Sequence, residues 1–244
     1  MTAAAAPLRD MWTASPTYRQ LYQSPDEIET VTKMLEMPAA TALVDVGCGN
    51  GAFLIAAARA NPTCRLFAFD ALQSAVDACR VNAARELGDG RVTCAVAPAE
   101  KVPLPDGSVD RVLCRAVLHH LSDPHVVYRE FARVLGPGGM LLLQAPCNYW
   151  QQPWGQAISD LYMFGDDTHR RQYHQPAEVI AGLNAAGLAM RDAECWPYPY
   201  KNLKPAAVAF IQRVGAAEQF ELTQESDGSW SCRLYWLRVR AIRL

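Results

Sequence analysis

The chain has 244 residues, half of them apolar, enough for the core of one α/β domain between two helical layers. Its formal charge of −2 offers no field that would gather polyanions, so nucleic acid is excluded as the expected partner. No stretch has the length and uniform apolarity of a membrane span, and the opening MTAAAAPLRD lacks the apolar centre of a signal peptide and reads as a loose terminus.

Trp12, Tyr18 and Tyr22 are the aromatic residues of an opening segment that can either fold over a site or simply pack. Ser24, Pro25 and Glu27 then announce a helix, as a capping box with proline at the first helical position, and Ile28, Val31 and Leu35 give it one apolar face. Residues 42–46 are short, apolar and β-rich, as a strand buried on both faces should be. The run after Gly51 (Ala52, Phe53, Leu54, Ile55 and the alanines to 58) has the composition of a helix. Gly47, Gly49 and Gly51 therefore occupy a strand-to-helix turn, where a ligand approaches the backbone closely and a side chain at 47 or 49 would obstruct it.

A second strand, residues 65–69, ends at Asp70, whose carboxylate can accept from two neighbouring ribose hydroxyls. Together these features describe a nucleotide-type cofactor laid across the ends of the first two strands of a parallel sheet. Gly47, Gly49 and Ala52 also satisfy the G-x-G-x-x-A form of the dinucleotide fingerprint, with an acid at about the expected 20 residues. Asp45 argues against a dinucleotide: two residues before the first glycine, a carboxylate would meet a cationic amino group and repel a pyrophosphate.

Further helices are expected at 74–87, after Ser122, Asp123 and Pro124 (with Val127, Phe131, Val134 and Leu135 facing inward), and at 176–186 ahead of Gly187. Strands are expected at 91–96, 109–115 and 140–144, with Gly136 to Gly139 turning into the last of these. Strands alternating with helices imply a parallel sheet with right-handed crossovers.

From Ala99 onward the chain reads AEKVPLPDGSVDRVLCRAVLHHLSDPHVVYREFARVLGPGGMLLLQAP. Asp45 with Gly47, Gly49 and Gly51; Asp70; Ala99, Glu100, Leu104, Pro105, Asp106, Ser108 and Asp110; Leu118 to Leu121 with Asp123 and Pro124; and Arg133 to Gly139 form one pattern. It resembles the class I S-adenosylmethionine-dependent methyltransferases, in the small-molecule branch that includes the ubiquinone and menaquinone C-methyltransferases. The resemblance spans roughly residues 40 to 145. It implies an α/β, Rossmann-like fold: a mostly parallel seven-stranded sheet with an antiparallel last strand around 233–240, and helices on both faces. It also implies a single methyltransferase domain over 1–244: an N-terminal cap or lid and helix (1–38), a cofactor-binding core (39–145), a substrate-lid insertion (146–175), and a C-terminal helix and strands (176–244).

The cofactor implied is S-adenosyl-L-methionine. Asp45, Gly47, Cys48, Gly49 and Gly51 would hold its methionine end, Asp70 the ribose, and Ala71 and Leu72 the adenine. Arg115 and Ala116 would present backbone carbonyls to the amino group, and Ala99 and Glu100 border the cofactor. Where the family often has an acid for the adenine amine, this chain has Pro98, so the adenine edge must be read by other groups. Cys48 and Cys114 fall near the cofactor as turn and strand residues, not nucleophiles. The eight cysteines are scattered with no C-x-x-C pair, which suits free thiols in a reducing cytoplasm.

The segment 146–175 is the expected acceptor-binding piece, because insertions at the carboxyl ends of parallel strands overlie the ligand crevice. Tyr149, Trp150, Trp154 and Tyr162 suit a flat or apolar acceptor, and aromatic faces can also stabilise a sulfonium by about 0.5–2 kcal/mol. Trp196, Tyr198 and Tyr200, in a proline-rich excursion, would close the same pocket or an interface. His119 is a substrate-binding and base candidate, with His169 and His174 as rival bases; His125 belongs to the surface. Asp166, Asp167 and His169 form a local run that is better read as solvated than as a metal site, so no metal is expected. The reading is a methyl transfer by in-line displacement to a small aromatic or heterocyclic metabolite, by a monomer or homodimer. A non-methylating binder of the same cofactor, such as a pericyclase or regulatory subunit, remains the alternative.

Overall fold

The computed structural model describes residues 24–121, 123–149 and 174–244. Among these residues, β1 (Ala42–Val46), β2 (Arg65–Asp70), β3 (Val92–Val96), β4 (Val109–Arg115), β5 (Leu135–Pro146), β6 (Leu188–Lys201), β7 (Thr223–Gln224) and β8 (Trp230–Arg243) make one sheet. Its order is β3-β2-β1-β4-β5-β8-β6, with two-residue β7 attached to β8. Strands β1 to β5 are mutually parallel, and β8 runs antiparallel to both β5 and β6. The expected architecture is present. The antiparallel last strand is longer than the 233–240 expected and sits inside the sheet beside β5.

The helices are α1 (Pro25–Met34), α2 (Ala52–Ala60), α3 (Gln73–Leu87), α4 (Pro124–Val134), α5 (Pro176–Ala185) and α6 (Pro205–Arg213). One face of the sheet buries Val112, Leu141, Leu143 and Val239 against Val127, Phe131 and Val134 of α4 and Val179 and Leu183 of α5. The other buries Leu43, Leu66, Leu113 and Leu142 against Val31 of α1 and Leu54 and Ala57 of α2. Each fully buried side chain of this size contributes roughly 1.5–3 kcal/mol, so the two layers hold the strand ends that carry the site.

Several motif residues turn out to be scaffold. The Asp110 carboxylate accepts from the Thr41 N–H and hydroxyl (2.8 and 2.7 Å) and from the Ala42 N–H (3.1 Å), pinning the start of β1 to β4. Arg133 on α4 donates to the carbonyls of Val102 and Leu104 and to Asp106 and Glu130, tying down the loop ahead of β4. Leu135, expected on the inner face of α4, instead opens β5, and Gly136, Pro137, Gly138 and Gly139 lie within that strand's span.

Two further expectations change. Ser24 caps α1 by accepting the Glu27 N–H, but the Glu27 carboxylate does not close the box; it turns to Arg115 and Arg238, where buried guanidinium charge outcompetes a single backbone N–H. The stretch with Trp196, Tyr198 and Tyr200 is no excursion: it is the second half of β6, paired with β8 from Ser231 to Trp236. Its prolines fit there because β6 is an edge strand. Tyr198, Tyr200 and Trp236 are the heart of a third core under α6, built with Ala207, Val208, Ile211 and Phe220.

Candidate functional site

The carboxyl ends of β1, β2 and β4 meet where the connections diverge to opposite faces, the place at which an open α/β sheet forms a ligand crevice. Register decides which side chains gather there. Asp45 pairs with Ala68 on β2 and Leu113 on β4. Asp70 and Arg115, each two residues further on, therefore project from the same face as Asp45, on either side of it. Asp45 is 3% exposed and Asp70 7%.

Burial, reinforced by the charge of Asp70 and opposed by that of Arg115, pushes the Asp45 carboxyl up to about 7. Burial also raises Asp70, but three backbone N–H groups pull the other way. The Gly49 N–H donates to Asp70 Oδ2 and the Leu72 N–H to Oδ1, both at 3.0 Å, so this carboxylate also fastens the glycine turn to the β2–α3 junction.

Gly47, Gly49 and Gly51 all have positive φ, at 79°, 52° and 79°. Gly51 is the N-cap of α2. A Cβ at 47 would lie 2.1 Å from Val117 Cγ2, and one at 51 would lie 2.7 Å from Cys79 Sγ. The turn itself thus demands glycine at both positions, in addition to any demand from a ligand. Immediately after β4, Ala116 takes φ 56°, a conformation a non-glycine residue holds only when its surroundings enforce it. Its N–H donates to the Gln144 carbonyl at 2.8 Å, while the Gln144 side-chain oxygen accepts from Arg115 Nε at 2.8 Å.

The Arg115 side chain is a feature sequence reasoning missed, having assigned that residue a backbone role. Its guanidinium lies over the Phe53 ring in the first turn of α2 (4.6 Å) and the Trp236 ring (5.0 Å). Gln144, Arg238 and Glu194 continue the row across β5, β8 and β6. Glu27 reaches in from α1 at 3.5 Å from Arg115 and 3.3 Å from Arg238. The available signal was a polar residue interrupting an apolar strand: Gln144 in MLLLQAP and Arg238 in YWLRVRAI.

His119 lies in the 3₁₀ turn after β4 and is 5% exposed. His174, 9% exposed, stands ahead of α5 with its carbonyl accepting the Asn148 N–H at 3.0 Å just beyond β5. Burial holds the His174 imidazole below its usual range. Tyr149 is exposed and stacks on Tyr235 at 4.1 Å. Ala99 is buried, Glu100 and Ala71 are exposed and Leu72 is half-buried, so the Glu100 carboxylate stands in solvent on the turn after β3. His125 is exposed, as expected. Burial and the proximity of Asp45 push the Cys114 thiol far up, which suits a strand residue and not a nucleophile; Cys48 is likewise buried.

Trp12, Tyr18, Tyr22, Trp150, Trp154, Tyr162 and His169, with Asp166 and Asp167, lie outside the described residues. Among the described residues no cluster of His, Cys, Asp and Glu has the makings of a metal site, and no helix is long and apolar enough to cross a membrane.

A sheet of this order, with an acid-flanked glycine turn and a second acid ending β2, defines a Rossmann-like protein that binds an adenosyl cofactor at its carboxyl edge. The comparisons carry this to a family. A profile described as "Methyltransferase domain" matches residues 44–143. The ubiquinone biosynthesis O-methyltransferase of Xanthomonas euvesicatoria is 30% identical over 200 residues, 78% of this chain and 81% of that protein. The 27-O-demethylrifamycin SV methyltransferase of Amycolatopsis mediterranei is 38% identical over 110 residues, 45% of this chain and 40% of that one. The YcgJ protein of Bacillus subtilis has the same fold, with a TM-score of 0.74, 24% identity, and coverage of 88% of this chain and 97% of that one. The chain belongs to the class I S-adenosylmethionine-dependent methyltransferases.

The site suits S-adenosyl-L-methionine. A carboxyl held near neutrality by burial and a like charge is the group an incoming ammonium would stabilise in its ionised form, and Asp70 beside it offers acceptor oxygens for hydroxyls.

Proposed function

We propose that this enzyme methylates a small aromatic or heterocyclic metabolite, on oxygen, at the crevice over the carboxyl ends of β4 and β5. The observation that carries the reading is the pair of buried carboxylates, Asp45 and Asp70, on one face beside three left-handed glycines. The choice of oxygen is supported by two relatives, one named a ubiquinone biosynthesis O-methyltransferase and the other a 27-O-demethylrifamycin SV methyltransferase.

Asp45 and the turn of Gly47, Cys48, Gly49 and Gly51 take the methionine end, Asp70 the ribose hydroxyls, and Ala71 and Leu72 the adenine. Ala116, fixed at positive φ, turns the chain at the amino group. When bound, the cofactor supplies a methyl already activated on a sulfonium, so the protein's share is positioning, exclusion of water and proton removal. His174, kept neutral by burial, and His119 are the groups that accept the hydroxyl proton. Tyr149 borders the acceptor. The eight free cysteines favour a reducing cytoplasm.

The test supplies S-adenosylmethionine and an extract of small metabolites to the purified protein. Formation of S-adenosylhomocysteine with a methylated aromatic product is expected. Saturable cofactor uptake with no S-adenosylhomocysteine would instead establish a non-methylating binder, and methylation of nucleic acid or protein alone would overturn the acceptor class.

A further inference from the structure

The row Arg115–Gln144–Arg238 crosses three strands at one pleat position, beside Asp45 and opposite the side where Asp70 stands. Gln144 is 1% exposed and Arg238 7%. The amide orientation of Gln144 is fixed, because its oxygen accepts from Arg115 Nε. Its Nε2 is then a buried donor without an acceptor among the described residues, and Arg238 Nε is another. A buried donor left unsatisfied costs roughly 1–3 kcal/mol, so two in neighbouring positions call for an oxygen supplied from outside the row.

The anions already present do not fill that need: Glu194 takes Arg238 Nη1 at 2.6 Å and leaves Nε without an acceptor among the described residues. The Glu27 carboxylate contacts Arg115 at 3.5 Å and Arg238 at 3.3 and 3.4 Å. Such contacts are long beside the ~2.7–2.9 Å of a charge-assisted bond. The Arg115 guanidinium also meets Phe53, Trp236, Gln144 and the Tyr198 side chain, and Phe53 belongs to the helix turn that follows the glycines. The crevice is thus polarised, with acid toward β2 and donors toward β4 and β5. A ligand whose amino-acid end carries both an ammonium and a carboxylate matches that order.

We propose that Arg115 and Gln144 receive the α-carboxylate of the cofactor's methionine end while Asp45 receives its ammonium, so that the site reads the whole zwitterion. This rests on the cofactor placement proposed above. Arg238, its Nη1 paired with Glu194, stands behind them, and Glu27 moderates the positive charge of the row from α1.

The probes are S-adenosylhomocysteine and its decarboxylated analogue, which keeps the amine and lacks only the carboxylate, measured by titration calorimetry. Wild type is expected to bind S-adenosylhomocysteine at least tenfold more tightly than the analogue. Gln144→Glu keeps an oxygen for Arg115 Nε but places a negative charge where the carboxylate would lie, and Arg115→Gln removes the guanidinium. In either variant the preference is expected to fall to within twofold. Thermal melts accompany each titration, and if Arg115→Gln does not fold, Gln144→Glu decides. Preference below twofold in wild type, or full preference retained in Gln144→Glu, overturns the inference and leaves the cofactor site standing. Uptake of neither compound by wild type removes both.

Discussion

Asp45 and Asp70 stand two residues out of register on adjacent parallel strands, so their carboxylates leave the same face of the sheet and share one burial cost. Asp45 bears most of it, because Asp70 accepts backbone N–H groups from both sides of the crevice. The sign of the consequence follows from proton counting. With its carboxyl raised from the ordinary 3.8 to about 7, the native state keeps a proton that the unfolded chain releases. The free protein therefore loses stability as pH rises from about 4 to about 7, by up to about 4 kcal/mol if the shift is fully realised. Asp45→Asn is expected to flatten that slope and to melt higher than wild type at pH 8, which paired thermal melts at pH 5 and pH 8 would show. A mutant melting lower than wild type at pH 8 would contradict the buried-charge account.

The same carboxyl makes cofactor affinity pH-dependent in the opposite sense. An ammonium prefers the ionised acid, so S-adenosylhomocysteine binding is expected to weaken towards tenfold per pH unit below about 7, with proton release on binding, and to level off above it. Calorimetry in buffers of different ionisation enthalpy counts those protons. Asp45→Asn should bind weakly and without the slope.

Asp70→Ala removes the proposed acceptor of the ribose hydroxyls together with the tether of Gly49 and Leu72. Affinity for S-adenosylhomocysteine is expected to fall at least tenfold. Asp110→Ala is the contrasting case: three hydrogen bonds to the start of β1 disappear, at a cost on the order of 2–3 kcal/mol, with cofactor affinity unchanged at a temperature where the variant is folded. Equal effects of the two substitutions on affinity would erase the distinction between site and scaffold acids.

That distinction marks how far the sequence could be read. Asp45, the glycines and Asp70 were legible because each sits at a junction of element types, where strand and helix periodicities change and chemistry is local. Asp110 and Arg133 belong to the same recognisable pattern, yet spacing alone cannot separate a residue that holds a loop from one that holds a ligand. The row through Gln144 and Arg238 was not legible, since it depends on β8 entering between β5 and β6, a pairing across 94 residues for Gln144 and Arg238 that no local pattern records. Tyr198 and Tyr200 were misplaced because prolines read as loop markers, whereas an edge strand tolerates them.

Gly47→Ala tests whether the turn is strained by its own neighbours. A Cβ there meets Val117 Cγ2 at 2.1 Å and the residue must hold φ 79°, so two separate costs apply. A loss of roughly 2–4 kcal/mol in denaturant-unfolding stability is expected from the clash and the left-handed backbone together. Trimming the partner in Gly47→Ala/Val117→Ala relieves the clash and leaves the φ cost, so recovery should be partial. Val117→Ala alone serves as the reference that closes the cycle. Complete recovery would make sterics the whole story, and no recovery would assign the requirement for glycine to backbone conformation alone.

His174→Gln separates proton removal from binding. The His174 main chain pairs with Asn148 beyond β5 and its imidazole feels the charges of Glu178 and His125, not those of the acid pair that holds the cofactor, so S-adenosylhomocysteine affinity should stay within twofold of wild type. Turnover, followed as S-adenosylhomocysteine released with a metabolite extract as acceptor source, should drop by about 10²–10⁴ if this group takes the acceptor's proton. Because burial holds the His174 imidazole below its usual range, the wild-type rate at saturating S-adenosylmethionine should stay flat from pH 8 down through the ordinary histidine region and fall only below it. His119→Gln, measured alongside, distinguishes the two bases: the residue whose removal also abolishes the acidic limb of that profile is the one that titrates. Full activity in both variants would exclude an imidazole base at either position and leave water or the acceptor's own acidity to dispose of the proton.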